Sequence, residues 1–173
     1  MVRFEKSVEM LHDLMLIQQE RALVYEKLIK YSGQETAVCN LLQKIAVQSR
    51  NCMIGLRRHI DLCCGDPADR VDVKGDIYRN WPGTKYLLPG SSLTEVYLNC
   101  EYNEKETILA YQRAINSGEI CESLREILHE QLRFMRQSFR ELNECKEKPA
   151  APLAEYPDER RALSFSRHLP EAV

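Results

Sequence analysis

The sequence predicts an all-α protein, a bundle of four long helices wound up, down, down and up. Three observations predict it. Apolar residues recur in alternating steps of three and four along four long stretches, the pattern of a helix that buries one face. Glycine and proline interrupt those stretches hardly at all and gather between the second and third, at 65–92. The links from first to second and from third to fourth are short, so each pair closes as an antiparallel hairpin, while the middle link can cross the length of the bundle.

Taken in order, the first helix runs from about Phe4 to Tyr31 with the seam Phe4, Val8, Leu11, Met15, Gln18, Ala22, Tyr25 and Ile29, and Gly33 is its stop signal. The second runs from about Glu35 to Cys64, with the seam Val38, Leu41, Ile45, Gln48, Cys52, Gly55, His59 and Leu62. Gly55 costs a helix about 1 kcal/mol relative to Ala, so on a seam it points to a close neighbour. The crossover at 65–92 carries Pro67, Pro82 and Pro89 with Tyr78, Trp81 and Tyr86, and should pack across the bundle with a short helix at about Asp76–Trp81.

Ser92 caps the third helix, and Glu95 completes a capping box with it. That helix has the seam Leu93, Tyr97, Cys100, Glu104, Thr107, Tyr111 and Ala114. The fourth runs from about Ile120 to Lys146 on Leu124, Leu128, Gln131, Met135, Ser138 and Leu142. Residues 1–146 thus read as one bundle domain. The proline-rich remainder, 147–173, reads as a mobile or peripherally packed tail with Leu163, Phe165 and Leu169 as anchors.

Charge is 29% of the composition and nearly balanced, at a formal net charge of -2, without the basic runs that track phosphates; nucleic acid is not an expected partner. No stretch approaches the roughly 18 apolar residues of a membrane span, and the N-terminus lacks a signal-peptide core, so no membrane partner and a cytoplasmic location are expected. The seven cysteines are odd in number and form no C-x-x-C pair, which predicts free thiols, with Cys52 and Cys100 as small buried hydrophobes. Cys63, Cys64 and Cys145 are expected to react faster. His59 and Cys63 have i, i+4 spacing, but no further ligand accompanies them, and His59 reads as a core-edge histidine.

An internal repeat links the hairpins. Gln18 and Tyr25 match Glu104 and Tyr111, and Leu41, Ile45, Gln48 and Cys52 match Leu124, Leu128, Gln131 and Met135. On these residues the chain resembles a bacterial ferritin-like family of unknown function (domain of unknown function 2383). Its first helix, LHDLMLIQQERALVYEKLI, its third, CEYNEKETILAYQRAI, and the crossover YRNW are similar to that family from about Val8 to Leu142. The resemblance implies a ferritin-like bundle and, in the wider superfamily, a di-metal site of four glutamates and two histidines. Those positions fall on Gln18, Gln48, Glu104 and Gln131, and on Asn51 and Phe134, so one ligand of six is present. Amides are poor iron ligands, and the site reads as degenerate. The one Glu-x-x-His, Glu126 to His129, is out of register with the repeat.

The sequence therefore leaves three readings of mid-bundle. Gln18, Gln48 and Gln131 form a hydrogen-bonded layer around Glu104. Alternatively, Glu104 joins Glu101, Glu130 or His129 in a rearranged iron or manganese site, giving an oxidoreductase or iron-handling protein. The third reading is metal-free catalysis, for which no nucleophile–base set is visible. The first implies a non-catalytic bundle without a cofactor that binds a protein partner or itself. It also implies that Glu104→Gln, which completes an all-amide layer, should be tolerated.

Overall fold

The computed structural model of the chain describes residues 2–31, 36–64, 74–86 and 92–147. They form α1 (Val2–Tyr31), α2 (Thr36–Cys64), the short α3 (Asp76–Arg79), α4 (Leu93–Asn116) and α5 (Glu122–Glu147), and no strand occurs among the described residues. The tail, with Leu163, Phe165 and Leu169, and the crossover segments 65–73 and 87–91 lie outside them. Ser92 caps α4 as expected, accepting from the Glu95 amide while the Glu95 side chain accepts from the Ser92 amide.

Side-chain partners fix the helix directions. Gln18, Arg21 and Tyr25 of α1 meet Tyr111, Glu104 and Cys100 of α4, numbers rising on one helix as they fall on the other. The same reversal relates α1 to α2 through Ile29–Cys39 and Arg21–Ser49. It relates α2 to α5 through Lys44–Glu141 and Gln48–Ser138, and α4 to α5 through Tyr111–Gln131 and Ile115–Arg125. Both α2 and α4 therefore oppose α1 and run parallel to each other. Each hairpin packs far more extensively within itself than against the other, and α1–α5 and α2–α4 are the diagonals.

Two apolar clusters fill the interior. One gathers Leu14, Leu56, Ile60, Trp81, Leu124 and Leu128; the other gathers Val24, Leu28, Ile45, Val96 and Leu142. The seams hold on α4 and α5 and drift on the longer helices. Leu62 is 86% exposed, whereas Leu14, Ile17, Leu28, Leu42, Leu56 and Ile60 are buried. A strict seven-residue repeat slips by about 20° per heptad on a straight helix, so over four turns and more the buried stripe moves to neighbouring positions.

The described crossover lies over α1 and α4. Ile77 and Trp81 enter the core, and Asn103 of α4 grips the backbone of Lys85, accepting from its N–H at 2.8 Å and donating to its carbonyl at 3.2 Å. α3 has no side-chain cap of its own. The cap comes instead from α1, where the buried Asp13 accepts from the amides of Gly75 (2.7 Å) and Tyr78 (3.0 Å). Burial pushes the Asp13 carboxyl up, and the N–H groups of Tyr78, Gly75 and Ile77 oppose that shift. A Cβ at position 75 would lie 2.6 Å from Asp13 Oδ2 and closer still to Glu9, so any other residue there would have to displace these α1 side chains.

Asp13 is thus the pin that holds the crossover. Asp13→Ala strips two helix N-terminal amides of their acceptor and should destabilise the fold by about 1–3 kcal/mol. The check is the urea midpoint of the variant; an unchanged midpoint would mean that Ile77, Trp81 and Asn103 suffice to hold the crossover.

Candidate functional site

Between the two apolar clusters lies a polar layer, and its centre is a residue absent from the sequence-derived set. Arg21 is fully buried. Its Nε and Nη2 donate to the two carboxylate oxygens of Glu104 at 2.7 and 2.8 Å. The remaining donors reach Gln48 Oε1 at 3.0 Å, Ser49 Oγ at 2.9 Å and Gln18 Oε1 at 3.4 Å. Glu104, also fully buried, takes a further hydrogen bond from Tyr25 at 2.7 Å. Burial works against the guanidinium's charge, but the adjacent Glu104 carboxylate outweighs it, and Arg21 is held more firmly as a cation than in water. Burial and the same carboxylate push the Tyr25 hydroxyl far up, keeping it protonated as a donor to Glu104.

The layer continues through the glutamines. Gln18 Nε2 donates to Tyr111 Oη at 2.9 Å, and Tyr111 donates to Gln131 Oε1 at 2.7 Å. Gln131 Nε2 ends the chain on the Cys52 carbonyl at 3.2 Å, and Gln48 Nε2 donates to Ser138 at 3.1 Å. Gln18, Gln48, Glu104 and Gln131 therefore share one network. The expectation that amides alone surround Glu104 is corrected: its oxygens meet a guanidinium and a phenol. Arg21 was legible in principle, since it lies three residues after Gln18 and four before Tyr25, on the same helix face.

The internal repeat is visible as geometry. Tyr25 of α1 bonds Glu104 of α4, and its repeat-mate Tyr111 of α4 is bonded by Gln18, the repeat-mate of Glu104. On the other pair, Gln48 bonds Ser138, while Gln131 faces Gly55, the position matching Ser138. There the symmetry fails, because glycine offers no hydroxyl.

A cavity of about 570 Å³ opens beside that glycine, between α2 and α5. Its apolar wall is Val47, Cys52, Gly55, Ile127 and Phe134, with Val47 46% and Phe134 40% exposed. Gln48, Asn51 and Gln131 supply amides.

The alternative ligands are elsewhere. Glu101 is bound by Lys105 and Lys146 on the outer face of α4, and both lysines hold its carboxyl below the usual range. Glu130 is 60% exposed opposite Arg133 at the cavity rim, and His129 and Glu126 are exposed on α5. His59 is half-buried with Nε2 unpartnered, and the side chains of Cys63 and Cys64 lie outside the described residues. No group of three or more His, Cys, Asp or Glu side chains suited to a metal occurs among the described residues. Nor does any described helix have the length and apolarity to cross a membrane.

These features define a helical bundle with an ion-paired polar layer and a cavity at its edge. Compared with known proteins, the chain matches no family model, no curated protein and no solved structure.

Arg21 reverses the expected effect of removing the Glu104 charge. Glu104→Gln leaves a buried guanidinium without its counter-ion and should cost about 3–5 kcal/mol, whereas Arg21→Met combined with Glu104→Leu should cost less than the single change. Chemical denaturation of the three proteins decides this; a tolerated Glu104→Gln would show that water or Gln48 suffices for Arg21.

Thiol reactivity gives an independent check of the layer. Burial pushes Cys52 up to about 11 and, with Glu104, pushes Cys100 further still, whereas exposed Cys121 is lowered by hydrogen bonds from Ser123 and the Leu124 amide. Native labelling at pH 7 followed by peptide mapping should find Cys121 modified well before Cys52 and Cys100. Rapid modification of the buried pair would mean that the layer opens readily.

Proposed function

We propose that the protein is a non-catalytic, ferritin-like four-helix bundle, up-down-down-up with one long crossover, in which a buried ion pair has replaced a di-metal site. On this reading it belongs with the ferritin-like family that its helices resemble, resides in the cytoplasm, and serves binding or assembly. The observation that carries the proposal is the placement of the Arg21 guanidinium. It places one positive charge at mid-bundle, where a di-metal site would concentrate its own, and it draws in the acceptors of Gln18, Gln48, Ser49 and Glu104. A metal chelated by both Glu104 oxygens would compete with Arg21 for them, and at any position on Glu104 it would repel the guanidinium. The antiparallel pairings and the parallel α2 and α4 support the ferritin-like order.

The test is metal analysis of untagged protein, with thermal unfolding measured with and without added iron or manganese. The expected outcome is substoichiometric metal and no shift in the midpoint. Stoichiometric metal, with a midpoint rise that Glu104→Gln abolishes, would establish the metal-dependent alternative instead.

A further inference from the structure

Gln48, Asn51, Gln131 and Phe134 line the α2–α5 cavity beside the polar layer. Gly55 lies on its wall and lets Gln131 approach closely, since a Cβ there would lie 3.3 Å from Gln131 Nε2. Its repeat-mate Ser138 carries a side chain that bonds Gln48, whereas Gln131 bonds a backbone carbonyl. The opposite inter-hairpin face, between α1 and α4, carries the described crossover.

The chemistry of the lining is specific. Gln131 and Gln48 each use one amide hydrogen within the protein, on Cys52 O and Ser138 Oγ, and each keeps a second. Asn51 is exposed and makes no hydrogen bond within the described residues, so its amide is free. Three amides with unused donors therefore border an otherwise apolar cavity. The two charged residues at its rim are already matched, Lys44 by Glu141 and Glu130 by Arg133. An ionic ligand would find no unpaired counter-charge, and a purely apolar one would leave the amide donors dry. A volume of about 570 Å³ falls within the range of small-molecule sites, roughly 300–1,000 Å³.

We infer that the α2–α5 cavity is a binding site for an uncharged, largely apolar small molecule that presents a carbonyl or similar acceptor oxygen to Gln48, Asn51 and Gln131. The inference deepens the binding role proposed above by naming the site and its ligand class. It does not depend on metal, and its test is run with a chelator present, so failure here leaves the metal-free reading of Arg21 and Glu104 untouched.

The probe is Nile red, an uncharged fused aromatic with a ring carbonyl, followed by fluorescence on the full chain. Saturable binding at one dye per chain is expected, with a blue-shifted emission. Val47→Asp places a lone charge on the cavity wall, and Asn51→Trp fills the mouth. Both positions are exposed, and each variant should bind roughly tenfold more weakly or worse, a loss of about 1.4 kcal/mol. Leu109→Asp, exposed on α4 away from the cavity, should bind as the wild type does. Three results would overturn the inference: no saturable binding, one dye per two chains, which would make the cavity an interface between copies, or binding indifferent to both cavity variants. Affinity that rises tenfold in Phe165→Asp would also overturn it, by assigning the cavity to the tail.

Discussion

The fold is built around one interaction, the burial of Arg21 against Glu104. A charge moved from water into an interior costs several kcal/mol even after relaxation, and two such groups are tolerated only when each satisfies the other and every remaining donor finds an acceptor. That condition accounts for the polar residues around the pair. Ser49, Gln48 and Gln18 are the acceptors a guanidinium still needs after Glu104 has taken two of its five N–H groups. Tyr25 then completes the carboxylate. Because these side chains come from α1, α2 and α4, the pair fixes the register of three helices at once. Sliding any one by a residue would leave a buried charge unmatched.

The duplicated hairpin explains the layer's form better than any single residue does. Two equivalent tyrosines each reach across the bundle to the repeat-mate of the other's partner, Tyr25 to Glu104 and Tyr111 to Gln18. A symmetric layer would place the same chemistry in both halves. Here the halves have diverged: α1 carries Arg21 three residues after Gln18, whereas α4 carries Thr107 three residues after Glu104, its hydroxyl turned to the Asn103 carbonyl. One cation and one anion facing each other across the bundle neutralise each other, which two identical charges could not do.

Much of this was legible in the sequence, for identifiable reasons. Helix existence and ends followed from periodicity and punctuation, with the Ser92–Glu95 box placed to the residue, because capping depends on local spacing alone. The polarity of Gln18, Glu104 and Gln131 on apolar seams likewise marked the layer. What failed were inferences that depend on packing between elements. Arg21 was not singled out, because it lies off the apolar seam and arginine is seldom fully buried. Leu62 read as core because a heptad template was carried too far along a straight helix. Asp13 gave no signal at all: its task is to cap a helix 62 residues away, and nothing local distinguishes it from any acidic residue on α1.

The placement of the cavity follows from the same asymmetry. Each hairpin is tightly packed within itself, and the two meet less extensively. Defects are therefore least costly at the seams between hairpins. On the α1–α4 side the crossover buries Ile77 and Trp81, pinned by Asp13 and Asn103. On the α2–α5 side a serine in one repeat is a glycine in the other, and Val47 and Phe134 remain partly exposed. Filling such a gap is among the simplest gains in stability open to a protein, since even one added methylene with good packing contributes about 1 kcal/mol. A bundle that commits a buried ion pair to a rigid centre, and leaves an apolar, amide-edged space next to it, has its rigidity and its opening side by side. That juxtaposition suits a binding site, where the centre holds the walls in place and the gap receives the ligand.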